Sequence, residues 1–69
     1  MTIHPLPAGD CREVRDERGG VVGCVIHSRH LAEHWGVESW DAWRQKDGAT
    51  LTWNGRYPTP EAAAAAIGE

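Results

Sequence analysis

Trp40-Asp41-Ala42-Trp43-Arg44-Gln45 is the stretch whose reading decides the fold. As a strand, it places Trp40, Ala42 and Arg44 on one face and Asp41, Trp43 and Gln45 on the other. As a helix beginning at Ser39, it places Trp40 and Trp43 at i and i+3 on one side. The residues C-terminal to it favour the strand. Asp47-Gly48 is a strong turn signal, and Ala49 to Trp53 is a second β-rich run. Two extended runs around a turn make a hairpin. Asn54-Gly55 then turns or bulges the chain, and Arg56-Tyr57 extends the sheet edge.

Toward the N-terminus the pattern repeats. Cys11 to Arg18 reads as a polar strand with Val14 its only aliphatic residue. Gly19-Gly20 supplies the positive φ that tight hairpin turns need. Val21-Val22-Gly23-Cys24-Val25-Ile26 is rich in β-branched residues and reads as the best-buried strand. Between the hairpins, Ser28 to Gly36 is read as a helical turn within a loop. Ser28 stands at its cap, Leu31, Ala32 and Trp35 lie on one side, and Gly36 stands at its end; a plain loop is the alternative. Residues 1–10 contain Pro5, Pro7 and Gly9 and read as an extended N-terminal arm.

The C-terminal end is the clearest segment. Thr59 is an N-cap, Pro60 occupies the favoured first helical position, and Glu61 complements the helix dipole. Five alanines and Ile67 follow, and Gly68 stops the helix. Alone, so short a helix would hardly form in water, so it must dock. Ala63, Ala66 and Ile67 share the face expected to lie on the sheet, opposite bulky indoles. The expectation is an α+β domain at residues 11–69: a three- to four-stranded antiparallel sheet with one C-terminal helix packed on it.

The 69 residues fit one domain and include four Trp, one Tyr and no Phe. A chain this size buries only about 60% of its unfolded surface. One buried Trp removes roughly 150–250 Å² from water, so two or three are expected to dominate the core. Little room is left for a deep pocket, which argues against an enzyme. The net charge is −3, and all seven Lys and Arg lie between Arg12 and Arg56. There is no general attraction to nucleic acid, although one face can be locally basic. No apolar run approaches the ~18 residues of a membrane span, and the N-terminus lacks a secretory pattern. Two cysteines, Cys11 and Cys24, make no disulfide framework, which implies a cytoplasmic chain with reduced thiols.

The order G-x-V-V-G-x-V, then W-D-A-W, then N-G-R-Y-P-T-P-E-A-A resembles the AP2-like and integrase arm-binding type of small domain. It is also similar to orphan proteins of actinobacterial phages and mobile elements. The likeness covers residues 40–67, where Gly55, Tyr57, Thr59, Glu61 and Ala62 match a Gly-x-aromatic-x-Thr strand ending before a Glu-Ala helix. It implies a three-stranded antiparallel sheet followed by a helix. Through its DNA-binding members it implies sheet-face contacts by Trp43, Arg44, Lys46 and Arg56.

Three groups of residues bear on chemistry. Cys24, His27, His30 and His34 are the metal-ligating candidates, with Cys11 across the hairpin; zinc takes tetrahedral Cys and His ligands and would support a small core. The spacing matches no standard finger, and solvated histidines beside a buried, inert thiol are the plainer reading, so no cofactor is assigned. The carboxylates from Asp10 to Glu17 alternate with Arg12 and Arg15 as a charge-balanced strand. The tryptophans remain, since Trp and Arg are enriched at binding hot spots. Trp35, Trp43, Trp53, Arg44, Lys46 and Arg56 are therefore the partner-binding candidates. The functional expectation is a non-enzymatic interaction module binding a protein partner, an accessory protein of phage or mobile-element type, with homodimerisation through a free sheet edge as one form of it. A DNA-binding module is the alternative, and a small zinc-stabilised domain the second.

Overall fold

In the computed structural model, which describes residues 1–7, 9–46 and 50–68, the elements run β1 (Thr2–Pro5), β2 (Cys11–Arg15), β3 (Val21–His27), α1 (Arg29–Trp35), β4 (Trp40–Gln45), β5 (Leu51–Tyr57) and α2 (Pro60–Ile67). The five strands form one antiparallel meander in the order β1-β2-β3-β4-β5. The α+β class is as expected, and two details are corrected. The sheet has five strands rather than three or four, and there are two helices rather than one.

The fifth strand comes from the N-terminal segment. Thr2–Pro5 is extended, as its proline implies, but it pairs with β2 from Thr2↔Arg15 to Pro5↔Arg12. An edge strand tolerates proline because its outer side has no ladder bond to lose. The second helix is the Ser28–Gly36 segment. It ends at Gly36, whose φ of 65° closes the helix while its N–H bonds to the Ala32 carbonyl.

The hairpin expected from Cys11 to Ile26 is present. Asp16 builds its turn, its Oδ1 accepting the N–H groups of Arg18 and Gly20 at 2.9 Å each. Trp40–Gln45 is a strand, so the decisive stretch is extended and its face assignment holds: Trp40 and Ala42 are buried, Trp43 half-buried. The Asp47-Gly48 turn expected next lies outside the described residues.

Register sorts the sheet into two faces. Val14 opposes Gly23, Gly23 opposes Arg44, Val25 opposes Ala42, and His27 opposes Trp40. These residues share the face that α2 covers. The core is Val14, Val25, Trp40, Ala42, Ala63, Ala64 and Ile67, with Ile3, Val22 and Tyr57 packed against it. Burying Ile67 contributes roughly 1.5–3 kcal/mol. Helix α2 begins as expected, the Thr59 hydroxyl accepting the Ala62 N–H at 3.1 Å. Its docked face differs by one position, with Ala64 rather than Ala66 buried beside Ala63 and Ile67. The Ala66 carbonyl instead accepts from Arg44 Nη2 at 3.1 Å and Asn54 Nδ2 at 3.0 Å. These bonds tie the end of the helix to β4 and β5.

The tryptophans distribute differently from the expectation. Only Trp40 joins the core. Its ring stacks at a tilt on His27, centroids 4.9 Å apart, with the Arg12 guanidinium 4.8 Å above it. The reason is parity: Trp43 lies an odd number of residues from Trp40 and must project from the opposite face.

Candidate functional site

The face not covered by α2 is open. It carries Glu13, Cys24 and Trp43 in line across β2, β3 and β4, and Cys11, Ile26, Asp41 and Arg56 in the next row. Its most exposed large apolar side chains lie on β5, the edge strand: Trp53 at 54% and Leu51 at 47% of full exposure. They are two residues apart and therefore share a face.

A bulge brings Trp53 there. Asp41 opposes Arg56 and Trp43 opposes Trp53, so Asn54 and Gly55 together stand against Ala42 alone. Gly55 has a φ of +103°, a conformation side chains disfavour. The Tyr57 hydroxyl donates to the Asn54 carbonyl at 3.1 Å and closes the bulge. The extra residue reverses the alternation. Tyr57 pairs with Trp40 on the covered face, whereas Trp53 pairs with Trp43 on the open one.

Trp53 is held as well as exposed. Its indole N–H points to Asp41 Oδ1 at 3.4 Å, and the same oxygen accepts from Arg56 Nε at 2.9 Å. Asp41 thus anchors both the aromatic ring and the neighbouring cation. Across the face, Arg15 is paired with Glu13 at 2.6 Å. The two arginines of the open face, Arg15 and Arg56, are each neutralised by a carboxylate.

The sequence candidates separate accordingly. Trp43 and Trp53 stand opposite one another in register, with Arg56 one row away. Arg44 does not join them, because it projects on the covered side and grips the end of α2. The expectation of a sheet-face contact by Arg44 is thereby corrected. Lys46 is exposed just past β4. Trp35 stands apart at the end of α1, 72% exposed. Helix α1 buries none of its residues and is fastened through its flanks: Arg29 to Asp10 at 3.1 Å, His27 to Glu38 at 3.0 Å, and the Ser28 N–H to the Ser39 carbonyl at 2.9 Å.

The metal candidates are split by alternation. Cys24 faces the open side, whereas His27 turns to Trp40 on the other. His30 and His34 do meet, their rings 4.5 Å apart along α1. Among the described residues no group of three or more His, Cys, Asp or Glu is placed to hold a metal ion. Nor does any described helix have the length and apolarity to cross a membrane. A concavity of about 470 Å³ lies between the β2–β3 turn and the end of α2, lined by Met1, Asp16, Glu17, Arg18, Val22, Ile67 and Gly68. Asp16, the residue that builds the turn, is one of its carboxylates.

Sequence reading misses the pairing of Trp53 with Asp41. The Asn54-Gly55 dipeptide is the available signal, since a glycine inside a strand marks a bulge. No protein-family model, curated protein or solved structure matches the chain.

Proposed function

We propose that the chain is a non-enzymatic interaction module that binds a protein partner through the open face and free edge of its sheet at β4 and β5. The observation that carries this reading is the exposed Trp53, flanked by Leu51 and Trp43 and oriented by Asp41. A ring already held in place loses little freedom on binding, so more of its contact energy appears as affinity. Strand β5 ends the sheet, and an unpaired edge is a template for another extended segment. The partner that fits is an extended peptide with alternating apolar side chains, adding to β5 and setting those side chains against Trp53 and Leu51.

The nucleic-acid alternative draws less support from the geometry. Phosphate binding needs uncommitted cations, and Arg15 and Arg56 are each paired with a carboxylate. Kinship with AP2-like and arm-binding domains, and an accessory role of phage or mobile-element type, belong to the same proposal. They are carried by the residues from Trp40 to Ile67.

Selection from a displayed library of random dodecapeptides tests the reading. Binders enriched in alternating apolar residues are expected, with affinity falling about 30-fold in Trp53→Ala, the ~2 kcal/mol of a hot-spot aromatic. Binders indifferent to Trp53, or mixed-sequence duplex DNA bound with a steep salt dependence, would refute it.

A further inference from the structure

The hydrogen-bond phase of β5 decides which of its residues offer backbone to a neighbour. The Lys46 N–H donates to the Thr50 carbonyl at 2.8 Å, and the ladder continues as Gln45↔Leu51, Arg44↔Thr52 and Trp43↔Trp53. Antiparallel pairs alternate between hydrogen-bonded and non-hydrogen-bonded. Thr50 and Thr52 therefore turn their N–H and C=O groups toward β4, whereas Leu51 and Trp53 turn theirs outward from the sheet. The two residues with outward amides are the same two whose apolar side chains stand exposed on the open face.

Thr50 to Trp53 also lacks what usually guards a sheet edge, since it holds neither a charge nor a proline. The other edge strand, β1, contains Pro5, which blunts it. The usable length of β5 ends at the Asn54-Gly55 bulge, so a guest strand must be short. It must also carry apolar side chains on alternate residues with a neutral residue between them. Leu51-Thr52-Trp53 is itself such a segment.

We propose that β5 pairs antiparallel with β5 of a second copy of this chain, about a two-fold axis through Thr52, joining two five-stranded sheets into one. The proposal names the partner of the binding edge described above and rests on that reading. Centred on Thr52, Leu51 of each copy opposes Trp53 of the other. Both are outward-bonding positions, so each such pair exchanges its N–H and C=O groups in full. Trp53 then lies between Trp43 of its own chain and Leu51 of the second copy, continuing the apolar row across the junction. Thr52 meets Thr52 as a non-hydrogen-bonded pair that carries no charge. Shifting the centre to Trp53 would set Leu51 against Gly55, inside the bulge. Arg56, further along β5, is neutralised by Asp41. A two-fold contact uses the same patch on both chains and leaves no β5 edge free for a third. So few residues place it at the small end of protein interfaces, where association is weak and reversible.

The test is sedimentation of the full chain from roughly 1 µM to 1 mM, the range of a weak contact. The weight-average mass should rise from one chain toward two and stop there. Over the same series, the amide resonances that move with concentration should centre on Thr50 to Trp53. Thr52 is exposed, so charged variants there should keep the fold, which circular dichroism checks. Thr52→Lys and Thr52→Glu each set like charges face to face on the axis and should weaken dimerisation about 10-fold or more. Mixing the two variants should restore a dimer containing one of each. A single-chain mass at the highest concentration, growth beyond two chains, concentration-dependent shifts centred elsewhere, unchanged association in either variant, or a mixture that stays monomeric would overturn the proposal. The mass and the shifts are read on the unaltered chain, so they decide the matter even if a variant fails to fold. Library peptides that bind through Trp53 to a chain that stays monomeric would overturn the self-pairing alone; loss of both would overturn the binding edge as well.

Discussion

Replacing Gly23 with alanine probes the contact on which the two-layer packing depends. Gly23 is buried in β3 beneath α2. A Cβ there would collide with the Trp43 carbonyl oxygen and come within 3.2 Å of Ile67 Cγ2. The oxygen is backbone in the neighbouring strand, so it cannot swing aside as a side chain would. Overpacking costs about 1–3 kcal/mol, and a rigid obstacle puts Gly23→Ala near ~3 kcal/mol on that scale. At about 4–8 °C per kcal/mol for a domain this small, the melting temperature should fall by roughly 12–24 °C. That is a large share of the ~3–10 kcal/mol expected of such a chain at ~0.05–0.15 kcal/mol per residue. Gly20→Ala is the control. Its Cβ would meet Asp16 Oδ2 at 3.3 Å, a half-buried side-chain atom that can give by a few tenths of an ångström where a backbone oxygen cannot, and should cost about 1 kcal/mol. Urea melts followed by tryptophan fluorescence measure both, with the slope unchanged if only stability moves. If Gly23→Ala melts within two or three degrees of the parent, or the two variants cost the same, β3 does not lie against Trp43 of β4 and Ile67 of α2 as described.

Two further outcomes rest on single contacts. Thr59→Ala removes the hydroxyl that accepts the Ala62 N–H and should cost about 1 kcal/mol in the same melts. Cys24 gives a pH dependence: its thiol titrates at about 11 in the fold against an ordinary 9.0, so the folded chain keeps that proton when the unfolded chain has lost it. Stability from this source is intact below pH 9 and is lost as pH rises toward 11. Cys24→Ser should flatten that part of the stability profile, and iodoacetamide should label Cys24 slowly near neutrality and faster up to about pH 11.

Local rules carry much of this architecture. The cap, proline and dipole residues Thr59, Pro60 and Glu61 announce α2 without reference to anything distant. Gly19-Gly20, between a polar run and the β-branched run Val21 to Ile26, does the same for the β2–β3 hairpin. Alternation within Trp40–Gln45 separates Trp40 from Trp43, but it cannot say which face the helix chooses. That choice depends on Gly23 leaving space for Ile67 and on Arg44 and Asn54 reaching the Ala66 carbonyl, contacts between residues more than ten positions apart. Strand β1 is hidden because Pro5 and Pro7 read as an arm, and an edge strand needs little from its own sequence once β2 offers a ladder. Helix α1 is faint because none of its residues is buried, so no strong apolar stripe marks it. The candidate surface is half visible: Trp43 and Trp53 stand out as surplus indoles, but placing Trp53 beside Asp41 requires the Asn54-Gly55 bulge to reverse the strand. Arg44 escapes a sequence reading for the same non-local reason, its side being decided by α2.

Solvent exposure of the individual indoles tests the account most directly. With the four indole N–H resonances assigned, a soluble paramagnetic agent should broaden Trp35 and Trp53 strongly and Trp43 less, and leave Trp40 sharp. Trp40 should also show contacts to protons of the Ala63–Ile67 helix face. A Trp40 signal broadened as much as that of Trp53, or helix contacts from Trp43 in its place, would mean that α2 covers the opposite side of the sheet.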